Sequence, residues 1–431
     1  MTEKTLEHAT MPKVYVRLLG FFLFAYIVAY LDRINVSFAA LTMQHDLSMT
    51  AEDFGFASGL LFLGYTLFEI PSNLIMSKIG ARIWMARIMI TWGIVSAATA
   101  VAYSATGFAA LRFLLGVAEA GFWPGVVFYF SYWIPNHYQS RFLSITNSAV
   151  PLAVAIGAPI STAILGLDGM FGLKGWQLMY VFESIPAIVL GVIALWVLTD
   201  RPQNAAWLTQ QEKSWLVNTL EKERVAKESI QKFSMLQSMF DPKTLVIAAN
   251  YLCIMIISLG MLIFVPQIIK SLGTVSIMTV GWLTSIPYTA GFVAILIGGF
   301  VSDKIRERRW MLFSCCALIT VGLLIAGLTM GTWYALFGIT LATIGIYASK
   351  GPFWSIFSTV FTETSAAVAI AWVSSIGTVG GFLGPCYVGW IKDSTGSFSL
   401  ALIGLAACGL IATVISGCLM GFVSKNQLNN K

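Results

Sequence analysis

The sequence predicts an all-α membrane protein in which twelve transmembrane helices fall into two sets of six. Three observations predict it. The chain of 431 residues is 57% hydrophobic and only 11% charged. Its mean hydropathy is +0.79. Its apolar segments are long and are interrupted once, near the middle, by a polar stretch. Soluble domains carry roughly 25% charged residues, so too few polar side chains remain here to coat a water-facing surface. That excludes a soluble enzyme, a disordered chain and, despite the net charge of +6, a nucleic-acid binder. Cys253, Cys315, Cys316, Cys386, Cys408 and Cys418 all sit in apolar runs without metal-ligand spacing and read as small buried hydrophobes. The first apolar run is long, carries Asp32-Arg33 and is followed by many more, so no cleavable signal peptide is expected.

A spanning helix needs about 20 apolar residues. Segments near 15–38, 54–77, 83–104, 106–130, 142–166 and 176–198 reach that length, and so do those near 244–270, 278–302, 310–331, 334–360, 366–391 and 397–423. They exceed barrel strands and lack strict alternation, so helices are expected. The predicted organisation is an N-terminal six-helix half (1–198), a linker (199–243) and a C-terminal six-helix half (244–431). Thr209-Gln-Gln-Glu212 has the pattern of a capping box opening an amphipathic helix through about Ala226, whose charges read as a solvated face.

Basic residues set the expected orientation. Of the 26 Lys and Arg, 20 fall at the N-terminus through Arg17, after spans 2, 4, 6 and 8, or at the C-terminus. The opposite loops hold Lys174, Lys270 and Lys392. The positive-inside rule then predicts cytoplasmic termini and a cytoplasmic linker. The stretch Asn73-Leu-Ile-Met-Ser77-Lys78-Ile-Gly80-Ala-Arg82 after span 2 is echoed by Gly299-Phe-Val-Ser-Asp303-Lys304 and Arg306, Arg308 and Arg309 after span 8. The offset is 226 residues, so the halves read as repeats, an arrangement common in secondary transporters.

Ionisable side chains inside spans cost several kcal/mol unless paired or hydrated. Here they are Asp32, Arg33, Glu69, Arg112, Glu119, Glu183 and Lys350. Arg112 and Glu119 are seven apart, hence within about 20° of one helix face, which suggests a cation and a titratable carboxylate in one cavity. Asp32 and Arg33 diverge by about 100°, so Arg33 is expected to face a cavity while Asp32 engages a neighbouring helix or Asn35. Glu69 and Glu183 read as structural or gating residues. The small-xxx-small pairs Gly377/Gly381 and Gly380/Gly384 in span 11 read as close helix packing.

Several motifs carry a family resemblance. Leu31-Asp32-Arg33-Ile34-Asn35, Arg112-Phe-Leu-Leu-Gly116-Val-Ala-Glu119-Ala-Gly121-Phe-Trp-Pro124-Gly125, the following Phe-Tyr-Phe-Ser-Tyr-Trp133-Ile-Pro135, Asp200-Arg-Pro202-Gln-Asn-Ala-Ala206-Trp207-Leu208 and Gly351-Pro352-Phe353-Trp354 resemble signatures of the anion:cation symporters. This is a branch of the major facilitator superfamily, and within it the chain is most similar to tartrate, phthalate and hydroxyphenylacetate permeases. The resemblance implies the major facilitator fold, two six-helix bundles alternately opening a central cavity. It implies that Arg33 and Arg112 bind substrate carboxylate or control its access, with Tyr30, Tyr65 and Trp354 as aromatic partners. It also implies Asp32 and Glu119 as proton-coupling acids; on the shared helix face, Glu119 is the local partner expected for Arg112. Ser374 and Thr378 stand where the branch often has asparagines in span 11, and Lys350 is a candidate third positive charge. Asp303, Gly299 and Arg82 are the gating candidates, although Ser77 replaces the usual Asp of the first loop motif.

The expected function is therefore proton-coupled symport of a small organic carboxylate: tartrate-like, a sugar acid or an aromatic acid. Protons are the coupling ion and no other cofactor is expected. The expected setting is a monomer in the lipid bilayer of a cell inner membrane, without nucleic acid. Exchange of organic anions or phosphorylated metabolites is the alternative, though span 7 offers only Lys270 at its outer end. Multidrug export fits two cavity arginines poorly. An enzyme is not expected, since the spans contain no HExxH, GxSxG or paired catalytic constellation.

Overall fold

The computed structural model describes residues 3–228, 239–305, 308–360 and 363–428. In hydrocarbon every peptide N–H and C=O needs a partner within the protein, which is why apolar runs of this length become helices. Helix α1 (Glu3–Val14) passes through a π-helical turn into α2 (Gly20–Asp46), the first span. Next come α3 (Ala51–Ile79), α4 (Ala81–Ala98), α5 (Ala105–Glu119) with α6 (Phe122–Ser131) as the fourth span, α7 (Asn136–Leu165) and α8 (Gly175–Val197). Helix α9 (Gln210–Glu228) lies in the linker. The second half contains α10 (Pro242–Lys270), α11 (Ile277–Ile305), α12 (Arg308–Leu328), α13 (Tyr334–Ala348) with α14 (Lys350–Val360), α15 (Glu363–Thr395) and α16 (Phe398–Leu428).

Among the described residues, 11 segments are individually long and apolar enough to cross a membrane. The twelfth expected span is the tenth, divided into α13 and α14, of 15 and 11 residues. Proline chemistry accounts for the division. Pro352 has no N–H to return to the carbonyl of Ala348, and its ring crowds that carbonyl. The fourth span divides in the same way: Pro124 stands four residues after Ala120, and Gly121 takes a φ of 86°, open to glycine without strain.

Within the first half, span 1 packs on 5, 2 on 4 and 3 on 6; in the second, 7 packs on 11, 8 on 10 and 9 on 12. Small residues set the approach. A Cβ added to Gly116 would meet the carbonyl of Leu61, so spans 2 and 4 touch backbone to backbone. In span 11, Gly380 and Gly384 lie against the backbone of span 7 around Ile256, while Gly381 lies against Phe62 of span 2. The halves meet through spans 2 and 11, 5 and 8, and 1 and 7. Asp393 accepts from the N–H groups of Ala51 and Glu52 at 3.1 and 2.7 Å. Ser285 donates to the carbonyl of Ala155 at 2.7 Å, and Ser37 to that of Leu262 at 3.1 Å. These joints lie toward the ends of the spans opposite to α9.

The linker is tied down at the opposite end. Thr209 and Glu212 form the capping box, with bonds of 2.8 and 3.4 Å. The charges of α9 are not merely solvated: Glu212 pairs with Lys13 at 2.7 Å, and Glu223 accepts from the N–H of Asn136 at 3.1 Å. Trp207 stacks on Trp133 with centroids 5.4 Å apart.

Candidate functional site

The span charges gather in the first half, around α2. Helix periodicity turns Asp32 inward, where it is 0% exposed. There it meets α4: Trp92 Nε1 donates to Oδ2 at 2.7 Å and Ser96 Oγ to Oδ1 at 2.8 Å. Trp92 and Ser96 are four apart and share a face of α4, a spacing legible in the sequence but not used above. Asn35 Nδ2 adds a weaker bond to Oδ1 at 3.3 Å. Asp32 thus holds three neutral donors and, among the described residues, no ion pair.

Arg33 turns the other way, to the central face. Its Nε donates to Glu119 Oε2 at 2.8 Å, with the carboxylate only 1% exposed and the guanidinium side chain 16%. Its guanidinium carbon lies 5.3 Å from the ring centroids of both Tyr30 and Tyr65, a cation–π cradle. Tyr30 in turn meets Tyr26 edge-on at 5.1 Å. The other oxygen of Glu119, Oε1, is buried without a hydrogen-bond partner.

This corrects the expected pairing of Arg112 with Glu119. Seven residues of helix rise about 10 Å, too far for a direct pair even on one face, and Glu119 instead reaches across to Arg33. Arg112 is 1% exposed, and its Nε and Nη1 have no hydrogen-bond partner. Its electrostatic neighbours are Tyr180, Glu119, Asp32 and Arg33. Two donors of this buried guanidinium therefore have no partner among the described residues.

Among the described residues, the span cation of the second half is Lys350. Lys350 opens α14, with Nζ 3.7 Å from Met255 Sδ and 5.6 Å from the Tyr251 ring centroid. Among the described residues no carboxylate pairs with it. Tyr251 stacks on Phe353 at 4.8 Å and meets Trp354 at 5.1 Å, so Trp354 joins this aromatic group beside Lys350. Ser374 is exposed and Thr378 partly so, and the hydroxyl of Thr378 is turned to the carbonyl of Ser374 at 3.1 Å. They flank Gly377, which packs on Tyr251.

Of the gating candidates, Arg82 lies apart from these groups, whereas Gly299 lies against Gly351, next to Lys350. The N–H of Arg82 donates to Asp200 Oδ1 at 2.8 Å, beside Gly80 with its φ of 102°. A carboxylate from the end of span 6 therefore holds the loop whose own motif has Ser77. The first half of the sequence motif did not reveal this partner. Gly299 lies in α11 with nothing within 4 Å of an added Cβ. The side chain of Asp303 lies outside the described residues.

Arginines and acids inside a two-half helical bundle define a membrane transporter. The sequence profile of the Major Facilitator Superfamily matches residues 22–385, and the chain belongs to that family. It is a multi-pass transport protein and not an enzyme. Among relatives, a protein of Agrobacterium vitis named "Putative tartrate transporter" is 43% identical over 95% of this chain and 94% of its own. A "Quinolone resistance transporter" of Acinetobacter baumannii is 35% identical over 90% of this chain and 91% of its own. The solved structure of a bacterial homologue of the human lysosomal transporter Spinster, inward-facing and occupied, superposes with a TM-score of 0.77. It shares 16% identity, covering 96% of this chain and 98% of that one, and so speaks to the fold alone.

Proposed function

We propose that the chain carries a small organic carboxylate together with protons across the inner membrane, by alternating access. The observation that carries this reading is the arginine pair: Arg33 bound to Glu119, and Arg112 buried with two unpartnered donors. Protonating Glu119 removes the anion that occupies Arg33, and a substrate carboxylate takes its place. Deprotonation on the far side restores the pair and ejects the substrate. The name of the tartrate relative supports an acid of that kind. The positive-inside pattern turns both termini to the cytoplasm. The joints between the halves then lie toward the outside, which corresponds to a cavity facing inward. Lys350 supplies a further charge from the second half, suited to a dianion.

A second reading is supported by the quinolone-resistance relative. Quinolones also bear a carboxylate, so the same arginines serve, and the direction of flow differs. Proteoliposomes test both. Labelled tartrate, galactonate, phthalate and hydroxyphenylacetate are presented with a pH gradient acid outside. Accumulation of one of them, abolished by an uncoupler, is expected. Absence of counterflow for all four, with extrusion of a quinolone, would replace the leading reading by the second.

A further inference from the structure

Glu183 on α8 is a buried acid that the mechanism above leaves unused. It is 7% exposed. Ser161 Oγ on α7 donates to its Oε1 at 2.6 Å, while Oε2 is buried with no partner. On the side facing α2 stand Asn35 and Asp32. Asn35 Nδ2 already donates to Asp32, and Asn35 Oδ1 is another buried acceptor without a donor. From α4 come Trp92 and Ser96, both bound to Asp32. On its own helix stands Tyr180, which neighbours Arg112.

The donors and acceptors of this cluster do not balance. Trp92, Ser96, Asn35 and Ser161 supply the donors bonded to the two carboxylates; Glu183 Oε2 and Asn35 Oδ1 receive none, and the buried Tyr180 hydroxyl reaches neither of them. A buried acceptor without a donor costs about 1–3 kcal/mol, more when charged. Two carboxylates in one buried site do not both ionise. The missing donor is a proton.

We infer that Glu183, beside Asp32 and Asn35, carries a proton while this site is buried, as here, and releases it once in each transport cycle. Glu183 is thereby a coupling residue rather than a packing one. The inference rests on the proton-coupled reading. It adds a third acid to Asp32 and Glu119 and places it on the side of α2 away from Arg33. The substrate therefore need not touch it.

The test uses the full chain in proteoliposomes with whichever acid the wild type accumulates. A gradient of one pH unit supplies about 1.4 kcal/mol per proton and so about tenfold accumulation. Glu183→Gln gives the cluster its donor permanently and leaves Asp32 with its three neutral donors in place. Counterflow at equal pH should stay within about twofold of wild type, whereas pH-driven accumulation should fall roughly tenfold per lost proton. Wild-type accumulation in the Gln variant overturns the inference, because the proton on Glu183 is then permanent. If the Gln variant does not insert, Ser161→Ala decides. It removes a donor from the carboxylate but keeps the acid, so the pH midpoint of exchange should move upward; an unchanged midpoint overturns the inference. Failure of the wild type itself to accumulate any acid with protons would instead refute the symport reading.

Discussion

Glu119→Gln separates the two jobs of the central ion pair. Arg33 offers one Nε–H to Glu119 at 2.8 Å, and the carboxylate is almost wholly buried. A hydrogen bond to a charged group contributes about 1.5–3 kcal/mol. An incoming carboxylate that takes over this donor forfeits that amount while Glu119 is ionised. Glutamine keeps the shape and removes the charge. At about 1.4 kcal/mol per decade, substrate binding at alkaline pH should tighten roughly ten- to 150-fold. At acidic pH, where protonation has freed Arg33 in the wild type, the gain should be small. The assay is equilibrium binding of the labelled acid to purified protein at an acidic and an alkaline pH. A Gln variant that keeps the wild-type pH dependence, or that binds more weakly at both, refutes the competition between Glu119 and substrate.

Four further perturbations follow from the same geometry. Arg112→Lys keeps the charge but loses the planar fork; the substrate KM in counterflow should rise by about tenfold or more, and an unchanged KM would remove Arg112 from the binding site. Lys350→Ala should weaken inhibition by dianions such as tartrate more than by monoanions, and equal effects on both would leave Lys350 as a packing residue. Gly116→Ala drives a Cβ into the Leu61 carbonyl, an overpacking that costs about 1–3 kcal/mol or more. The melting temperature should fall, whereas Gly20→Ala, helical and with nothing within 4 Å, should not lower it. At Glu212, burial pushes the carboxyl up, but Lys13 and Thr209 outweigh it and hold the group below its ordinary value. Its contribution is therefore present above the ordinary carboxylate range and is lost as pH falls through the lowered folded value. Protease cleavage of the linker should accelerate there and not on raising the pH.

The spans were legible because the bilayer imposes one length and one periodicity on every segment. The capping box at Thr209 was legible for a similar reason: its partners are three residues apart. Pairing between helices was not. Arg33 and Glu119 are 86 residues apart, and the sequence offered Arg112, on the same face as Glu119, as the nearer partner. Helical rise excludes that choice, and only the approach of α2 to α5 supplies the other. Asp200 was likewise recognised within a motif, but its bond to Arg82 joins the ends of two spans 118 residues apart. Glu183 showed its charge in the sequence but not its neighbours, which come from three different helices.

The divided fourth and tenth spans bear on what side-chain mutagenesis can detect. Pro124 and Pro352 leave the peptide carbonyls of Ala120 and Ala348 without an amide from their own helix. These oxygens stand one residue after Glu119 and two before Lys350, yet no exchange of either side chain removes them. They are uncharged acceptors, matched to a hydroxyl rather than a carboxylate. Charge substitutions at the two joints therefore report on the ions there and say nothing of these backbone acceptors. Pro124→Ala and Pro352→Ala restore the missing N–H groups and interrogate the backbone itself.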